Sequence, residues 1–523
     1  MTEVFTYMGE GSIVSNDVVR VRVHPSITEI PYRAFAERNN LEEVELCDGL
    51  LEIGNEAFKD CKSLKQINFP STLKIIGNNA FYGCKSLDGV ELGNDIERIG
   101  YYAFSRLECK SSRFRIPPLL TTLPQCMVGG YSKCLFSIEI PEGIRRIDFA
   151  ALTSLGSLRN VAFPADSTID NAALHICPDL RLILGVEDER GVCSEGLDVI
   201  NPLKRRFDNL PLHKMIYYLS YTNITAEQLN NATNIRISQR RSKLDPSGNQ
   251  QDCLGMTPLH ILACSTVQQL GLYRVLVEKY PDNLITEDRW GALPIFYAIW
   301  GNSPDEIVQF LVESYQSLYP NHELNWSMMI ETLGKAGAPK ETIQSLIDVQ
   351  RESFLDHQII DWGTILQRAT SIPSPRNNFR QTQIESFGHL LDLSIKERVS
   401  VIGPRWRDSI MHLIQTFDDG SDPGLKMSYE SSIRRRNFIT ELLTKLAQSE
   451  IDYHNLKEAC MILELVLWKK EMSDKSQGEQ SSRKRTKLNE NETSVREQYR
   501  IGCGADVVIE HVLPFLLPEK AVD

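Results

Sequence analysis

The sequence predicts an α+β repeat protein, an N-terminal solenoid of short strands followed by an α-helical region. Three observations predict it. An Ala-Phe pair returns every 23 residues, at Ala34-Phe35, Ala57-Phe58, Ala80-Phe81 and Ala103-Phe104. Ile30, Ile53, Ile76 and Ile99 keep the same phase, five residues ahead of each phenylalanine. Beyond residue 200 that period stops, and apolar segments opened by proline take over at helical spacing.

Taken in order, Val21 and Val23 lie one period before Val44 and Leu46, so "VVRVRVHP" is expected as the first strand. In "LKQINFP", Leu64, Ile67 and Phe69 form the strand of a full unit, with Ile67 and Phe69 on one face by the alternation of side chains. Pro70 and Ser71-Thr72 end it, and Ile76-Gly77 turns the chain. One unit cannot bury these residues alone, whereas stacked units share a continuous core. Later turns are looser. Leu123 takes the isoleucine column, then Ile147, Leu152, Leu158, Val161 and Phe163 restore the pattern, and Ile169, Leu174, Cys177 and Leu180 add a last turn. About seven turns are expected from 18 to 185, within a domain at 1–190; the strands of 105–140 are not all placed.

The "IG…AF..C.SL..I..P" signature of residues 41–104 resembles the BspA-type leucine-rich repeat. That resemblance implies a curved, right-handed leucine-rich-repeat solenoid used for binding, with no enzymatic activity of its own.

If the strands line a concave face, the residues between the buried ones are its contact surface. Arg20 and Arg22, Glu43 and Glu45, Gln66 and Asn68, Gly89 and Glu91, and Arg113 and Arg115 are the candidates, followed by Ser137 with Glu139 and Asn160 with Ala162. The ladder alternates basic, acidic, polar, acidic and basic rungs. A nucleic-acid binder needs one sign throughout, so the mixed ladder points to a protein or peptide partner. Cys61, Cys84 and Cys177 share a column, which small apolar thiols fill as packing more simply than as a metal or redox site.

A second repeat system is expected over 200–350. "LPLHKMIYYLS", "GMTPLHILACS" and "GALPIFYAIWG" each open a helix with proline, and both Pro258–Pro294 and Gly255–Gly291 are 36 apart. Thr257, Pro258, Leu259, His260 and Ala263 resemble the ankyrin signature, which implies protein binding through stacked helix pairs. His260 is expected to buttress the turn. Residues 225–250 read as an insertion, and "NWSMMIETLGKAGAPKETIQSLIDVQ" as an eroded fourth unit. Residues 351–471 read as helices, 472–495 as a disordered polar and basic linker, and 496–523 as a capping helix with Asp506 at its start. The whole arrangement resembles a set of predicted diatom repeat proteins, a resemblance that implies a domain order and no function.

Composition bounds the rest. A chain of 523 residues with 24% charged residues and a net charge of −12 reads as soluble and multidomain. The acidic balance makes nucleic acid an unexpected partner. The apolar runs 460–468 and 506–518 are too short or interrupted to span a bilayer, and the N-terminus lacks a secretory pattern. Twelve cysteines then read as reduced thiols in a cytoplasmic protein. Arg483, Lys484, Arg485 and Lys487 supply the alternative of nuclear targeting, and with Arg236, Arg240, Arg241 and Lys243 a second hypothesis of chromatin or nucleic-acid contact. "GCGAD" lacks the third glycine of a dinucleotide loop, "LGKAG" lacks the loop that cradles phosphate, and Cys253, His260 and Cys264 lack zinc spacing. No enzyme and no cofactor are expected.

Overall fold

A computed structural model describes residues 4–353, apart from 10–11, 13, 88, 108–111, 130–134, 175–176, 178–179, 181–182, 185–196, 240–247, 323 and 337, together with Ile360, Ile365 and Leu390. The chain divides into two compact units, Met1–Ser394 and Ile395–Asp523. Every residue of the second lies outside the described set, as do the linker at 472–495, the capping helix at 496–523 and nearly all of 351–471.

Two parallel ladders run through the N-terminal region. One joins Val4–Tyr7, Arg20–Val23, Glu43–Glu45 and Gln66–Asn68; after a break it resumes as Arg113–Arg115 and Ser137–Glu139, with a bridge from Ser137 to Asn160. The other joins Glu29–Ile30, Glu52–Ile53, Ile75–Ile76 and Arg98–Ile99, then resumes as Thr122–Leu123, Arg146–Ile147 and Thr168–Ile169. Register follows the sequence period: Glu43 pairs with Gln66, and Ile53 with Ile76. The first ladder breaks at residues 89–91, which form no strand, and the second breaks later, between Arg98–Ile99 and Thr122–Leu123. The strands of 105–140 that the sequence left unplaced are Arg113–Arg115, Thr122–Leu123 and Ser137–Glu139. The expected first strand is the second. Val4–Tyr7 pairs in parallel outside it, reached by a register of 16 and not 23 residues and by a turn without an Ala-Phe pair, so periodicity did not reach it.

Local geometry explains the repeat's small residues. Glu56, Asn79 and Tyr102, each just before an Ala-Phe pair, are left-handed, as are Asp60 and Arg106. This conformation costs roughly 1 kcal/mol per residue. It also aims backbone N–H groups along the stack, so that Arg33, Phe35 and Glu37 donate to the carbonyls of Asn55, Ala57 and Lys59 on the next turn. Gly77 is required by close approach, because a Cβ there would sit 2.6 Å from the backbone nitrogen of Asn55. The Asn55 side-chain oxygen accepts from the Asn78 N–H at 2.7 Å, and that of Asn78 from Tyr101 at 2.8 Å.

The core is a set of columns. Phe35, Phe58, Phe81 and Phe104 stack face to face at centroid separations of 4.9, 5.2 and 5.4 Å, all fully buried, and Tyr7 closes the stack at 4.9 Å from Phe35. Four buried phenyl rings at this spacing are a large part of the apolar burial that holds the turns together.

A helical region follows. Pro211–Tyr217, Pro258–Cys264 and Pro294–Trp300 pack on one another in sequence, each starting at its proline. Ala226–Gln239, Leu270–Lys279 and Asp305–Leu318 form a second row. Much of the expected insertion at 225–250 is thus helix, and Ala226–Gln239 packs on Leu270–Lys279. Trp326–Ala336 and Lys340–Ser353 make the fourth pair. The turns before the second and third units are alike. Asp252 Oδ1 accepts from the N–H groups of Leu254 and Met256, and Asp288 Oδ1 from those of Trp290 and Ala292, with Gly255 and Gly291 left-handed in both. His260 Nδ1 accepts from Thr257, and its Nε2 donates to the carbonyl of Ala292 at 3.0 Å, joining one unit to the next.

Candidate protein-interaction face

The outward side of the longer strands divides into an open half and a covered half. In the open half, Arg20 Nε donates to Glu43 at 2.7 Å across neighbouring rungs, and Arg22 pairs with Glu45 in the same way. The Arg22 hydrogen bond holds the Glu45 carboxyl below the usual carboxylate range. Gln66, Asn68, Gly89 and Glu91 are exposed beside them. Opposite charges set on the 23-residue register therefore cancel in the Arg20–Glu43 and Arg22–Glu45 pairs, the next rung is a neutral pair of amides, and Glu91 adds one acidic group beyond it.

Arg113 and Arg115 belong to the same columns but lead elsewhere, and this corrects their reading as partner-contact residues. The Arg113 guanidinium donates to the carbonyls of Gly301 at 2.6 Å and Ala263 at 2.7 Å, and to Ser303 Oγ at 2.9 Å. Gly301 and Ala263 lie at the C-terminal ends of two helices, where backbone carbonyls lack intrahelical donors and carry partial negative charge. One arginine thus satisfies two helix ends. Arg115 donates to the carbonyl of Ser220 at 3.0 Å and lies over the Tyr221 ring at 4.4 Å. Both are held by the chain's own helical region.

The rest of the covered half follows suit. Glu139, 1% exposed, accepts from the Thr266 N–H at 2.7 Å and hydroxyl at 2.9 Å. Tyr217 Oη accepts from the N–H groups of Ile140 and Ala162 and donates to the carbonyl of Ile138, so a helix side chain stitches two rungs; burial raises its pKa to about 12. Phe136 packs on Tyr297 and Trp300 at 5.3 and 4.7 Å, and Arg159 lies over the rings of Trp290 and Trp300. Buried Arg206 bridges both regions, pairing with Asp252 at 2.7 Å and donating to Asn160 at 2.7 Å.

Sequence reasoning missed this docking, although one column signals it. The position before each strand reads Glu42, Lys65, Ser112 and Phe136, and Arg159 stands before the bridging Asn160. Glu42 and Lys65 pair at 2.9 Å in solvent, whereas Phe136 is an apolar residue at an outward position, and that marks where cover begins.

The cysteine column has a structural account. Cys61, Cys84 and Cys177 donate their thiols to the carbonyls of Phe35, Phe58 and Leu152 on preceding turns. Burial pushes the Cys61 pKa up to about 12. Among the described residues no cluster of His, Cys, Asp and Glu could hold a metal ion, and no helix is long and apolar enough to cross a membrane. Arg240, Arg241, Lys243, Arg483, Lys484, Arg485 and Lys487 lie outside the described residues, and the Arg236 side chain is likewise undescribed.

Comparison with known proteins bears on the first third of the chain. The family model for the BspA type leucine-rich repeat region matches residues 6–128 and 51–181, in six copies. A leucine-rich-repeat protein of T. pallidum is 34% identical over 25% of this chain and 59% of its own, with a TM-score of 0.23. A leucine-rich cell-surface protein of Faecalibacterium prausnitzii A2-165 is 26% identical, covering 33% and 45%, with a TM-score of 0.27. A leucine-rich-repeat protein of Bacteroides ovatus ATCC 8483 is 23% identical, covering 33% and 43%, with a TM-score of 0.27. The chain spans less than two thirds of the length of each. No curated protein matches the chain.

Proposed function

We propose that this chain, whose residues 6–181 form a BspA-type leucine-rich-repeat region, is a non-enzymatic intracellular scaffold that binds a protein or peptide partner on the open half of its strand face. Leucine-rich-repeat proteins are generally protein-interaction scaffolds, and that general role is the starting point. The observation that carries the reading is the division of one face. Arg113, Arg115, Glu139 and Asn160 engage a folded protein segment, the chain's own helices, while Arg20, Arg22, Glu43, Glu45, Gln66, Asn68 and Glu91 in the same columns remain open. A face that takes a protein surface in one half is suited to take another in the other half. The helix pairs at 200–350, with their ankyrin-like turn at Thr257–Ala263, offer a second surface, and two surfaces on one chain give avidity when both engage.

The test is a crosslinking capture from the native cell, with wild type compared to a variant carrying Glu43→Arg, Glu45→Arg and Gln66→Arg. These positions are outward, so the variant keeps the wild-type fold by circular dichroism, with a lower melting temperature because the new arginines face Arg20 and Arg22 on the neighbouring rung. Loss of one defined protein from the variant supports the reading. An unchanged catch overturns it and moves the contact to the helical surface.

A further inference from the structure

Every large aromatic side chain that stands exposed among the described residues falls in one column of the repeat. Tyr32, Tyr101 and Phe149 are 63%, 45% and 53% exposed, and each lies two residues after the buried isoleucine of its turn, Ile30, Ile99 and Ile147. Asn55, Asn78 and Gln125 fill the turns between them. Backbone bonds keep the column in register: Glu56 donates to the carbonyl of Asn78, Asn79 to that of Tyr101 and Tyr102 to that of Gln125. One turn further on, Thr122–Leu123 pairs with Arg146–Ile147. The six positions carry no charge, and the charged residues next to them in sequence, Arg33, Glu56 and Asp148, are each held in an ion pair. Asn55 and Asn78 accept the N–H groups of the next turn on their side-chain oxygens, so what each has left to offer is a donor, its amide nitrogen.

We propose that this column docks a proline-rich segment in the polyproline II conformation, lying along the stack. Such a segment matches the column in chemistry. Its pyrrolidine rings are uncharged and suited to aromatic faces, and proline has no N–H, so its backbone presents carbonyl acceptors to the Asn55 and Asn78 amides. It also matches in spacing. Tyr101 and Phe149 stand two turns apart, about 9.6 Å at the usual separation of neighbouring strands, and one turn of polyproline II is three residues and about 9.3 Å. Tyr32 and Tyr101 stand three turns apart, and the phenylalanines of those turns step by 4.9, 5.2 and 5.4 Å, a span that five polyproline residues cover at about 3.1 Å each. Steps of three and five residues put the contacts on two adjacent edges of a three-sided helix, the two that lie together on a surface. A nucleic acid would need cations that the column lacks. The site uses other residues than the open strand face and is independent of the partner proposed for it.

Fluorescence anisotropy of a labelled twelve-residue oligoproline, titrated with the full chain, tests it. Saturable binding is expected, and raising the salt leaves it unchanged because no charge takes part. Tyr101→Ala and Phe149→Ala are each expected to weaken it about tenfold. Both side chains are exposed, so the variants keep the wild-type circular dichroism. Leu119→Ala, at an exposed apolar residue off the column, leaves binding in place. So does the variant with Glu43→Arg, Glu45→Arg and Gln66→Arg, which separates this site from the strand face. Absence of saturable binding overturns the proposal. So does binding that Tyr101→Ala and Phe149→Ala leave intact, or that Leu119→Ala weakens equally. A linear glucose oligosaccharide that displaces the peptide and loses affinity in the same two variants also overturns it, since the rings would then serve sugar faces.

Discussion

Arg113 Nη1 lies 2.6 Å from the carbonyl oxygen of Gly301, 188 residues further along the chain. With Ala263, Gly301 makes Arg113 the shared end-piece of two helices, so a residue of one repeat system terminates the elements of another.

Arg113→Ala is therefore expected to loosen the helical region more than the rung that carries it. Loss of charge-assisted bonds to half-buried carbonyls costs about 2–4 kcal/mol. Arg113→Lys restores little, because a single ammonium lacks the planar fork that reaches both helix ends. Hydrogen exchange reads the outcome: amides of Pro258–Cys264 and Pro294–Trp300 exchange faster in the variant, while those of Gln66–Asn68 are unchanged.

Phe81 sits between Phe58 and Phe104 with Phe69 edge-on at 5.6 Å, and it is fully buried. Phe81→Ala is expected to cost about 3–5 kcal/mol by opening a cavity in the stack. Thermal unfolding checks this; a melting temperature equal to wild type would show that the column does not support the turns.

Gly77→Ala tests close approach and not burial. The added methyl meets the Asn55 nitrogen and the Gly54 carbonyl carbon, both at 2.6 Å, and backbone cannot step aside as a side chain can. The expected loss is about 1–3 kcal/mol. Gly93→Ala, where a Cβ meets nothing within 4 Å, is the control and leaves the melting temperature in place.

Two buried histidines give a pH dependence of known sign. Burial lowers the pKa of His213 from 6.5 to about 4, and burial likewise lowers that of His260, whose Nδ1 accepts from Thr257. The unfolded chain then binds protons that the folded chain refuses, so stability is full above pH 6.5 and falls as pH drops toward 4. Urea midpoints measured across that window should decline toward acid, with a shallower slope for His213→Gln.

Cys61 and Cys84 should resist alkylation in the native state, since burial raises both thiol pKa values and each thiol donates to a carbonyl of the preceding turn. Mass spectrometry after iodoacetamide treatment should find them modified only in denaturant; labelling of the native protein would mean that the turns open readily.

The solenoid was legible because its physics is local and periodic. Phe58, Phe81, Ile53 and Ile76 recur because each turn meets a copy of itself, and one-dimensional stacking writes its contacts into the spacing. The later turns blur as the register shifts, from Arg113 to Ser137 and then from Arg146 to Thr168. Asp252 and Asp288 share the 36-residue spacing of Gly255 and Gly291, and were readable by the same counting. The destinations of Arg113 and Arg115 were not. An arginine at an outward strand position reads alike whether it meets solvent or a helix end brought in from far along the chain. Tyr217 and Tyr221 carried the same ambiguity, since an aromatic on an amphipathic helix fills a core or an interface equally well.

The break in the two ladders, after Asn68 in one and after Ile99 in the other, has a temporal consequence. Each turn before it is completed by its immediate neighbour, so those turns can close soon after they leave the ribosome. The turns after it close against Tyr217, Thr266 and Trp300. Their outer surface stays bare until synthesis has passed residue 300, and during that interval Phe136, Arg159 and the strand edges beside them are exposed to other nascent chains and to chaperones. One continuous stack in the finished molecule is thus two stages in its making, the earlier self-sufficient and the later waiting on sequence not yet translated.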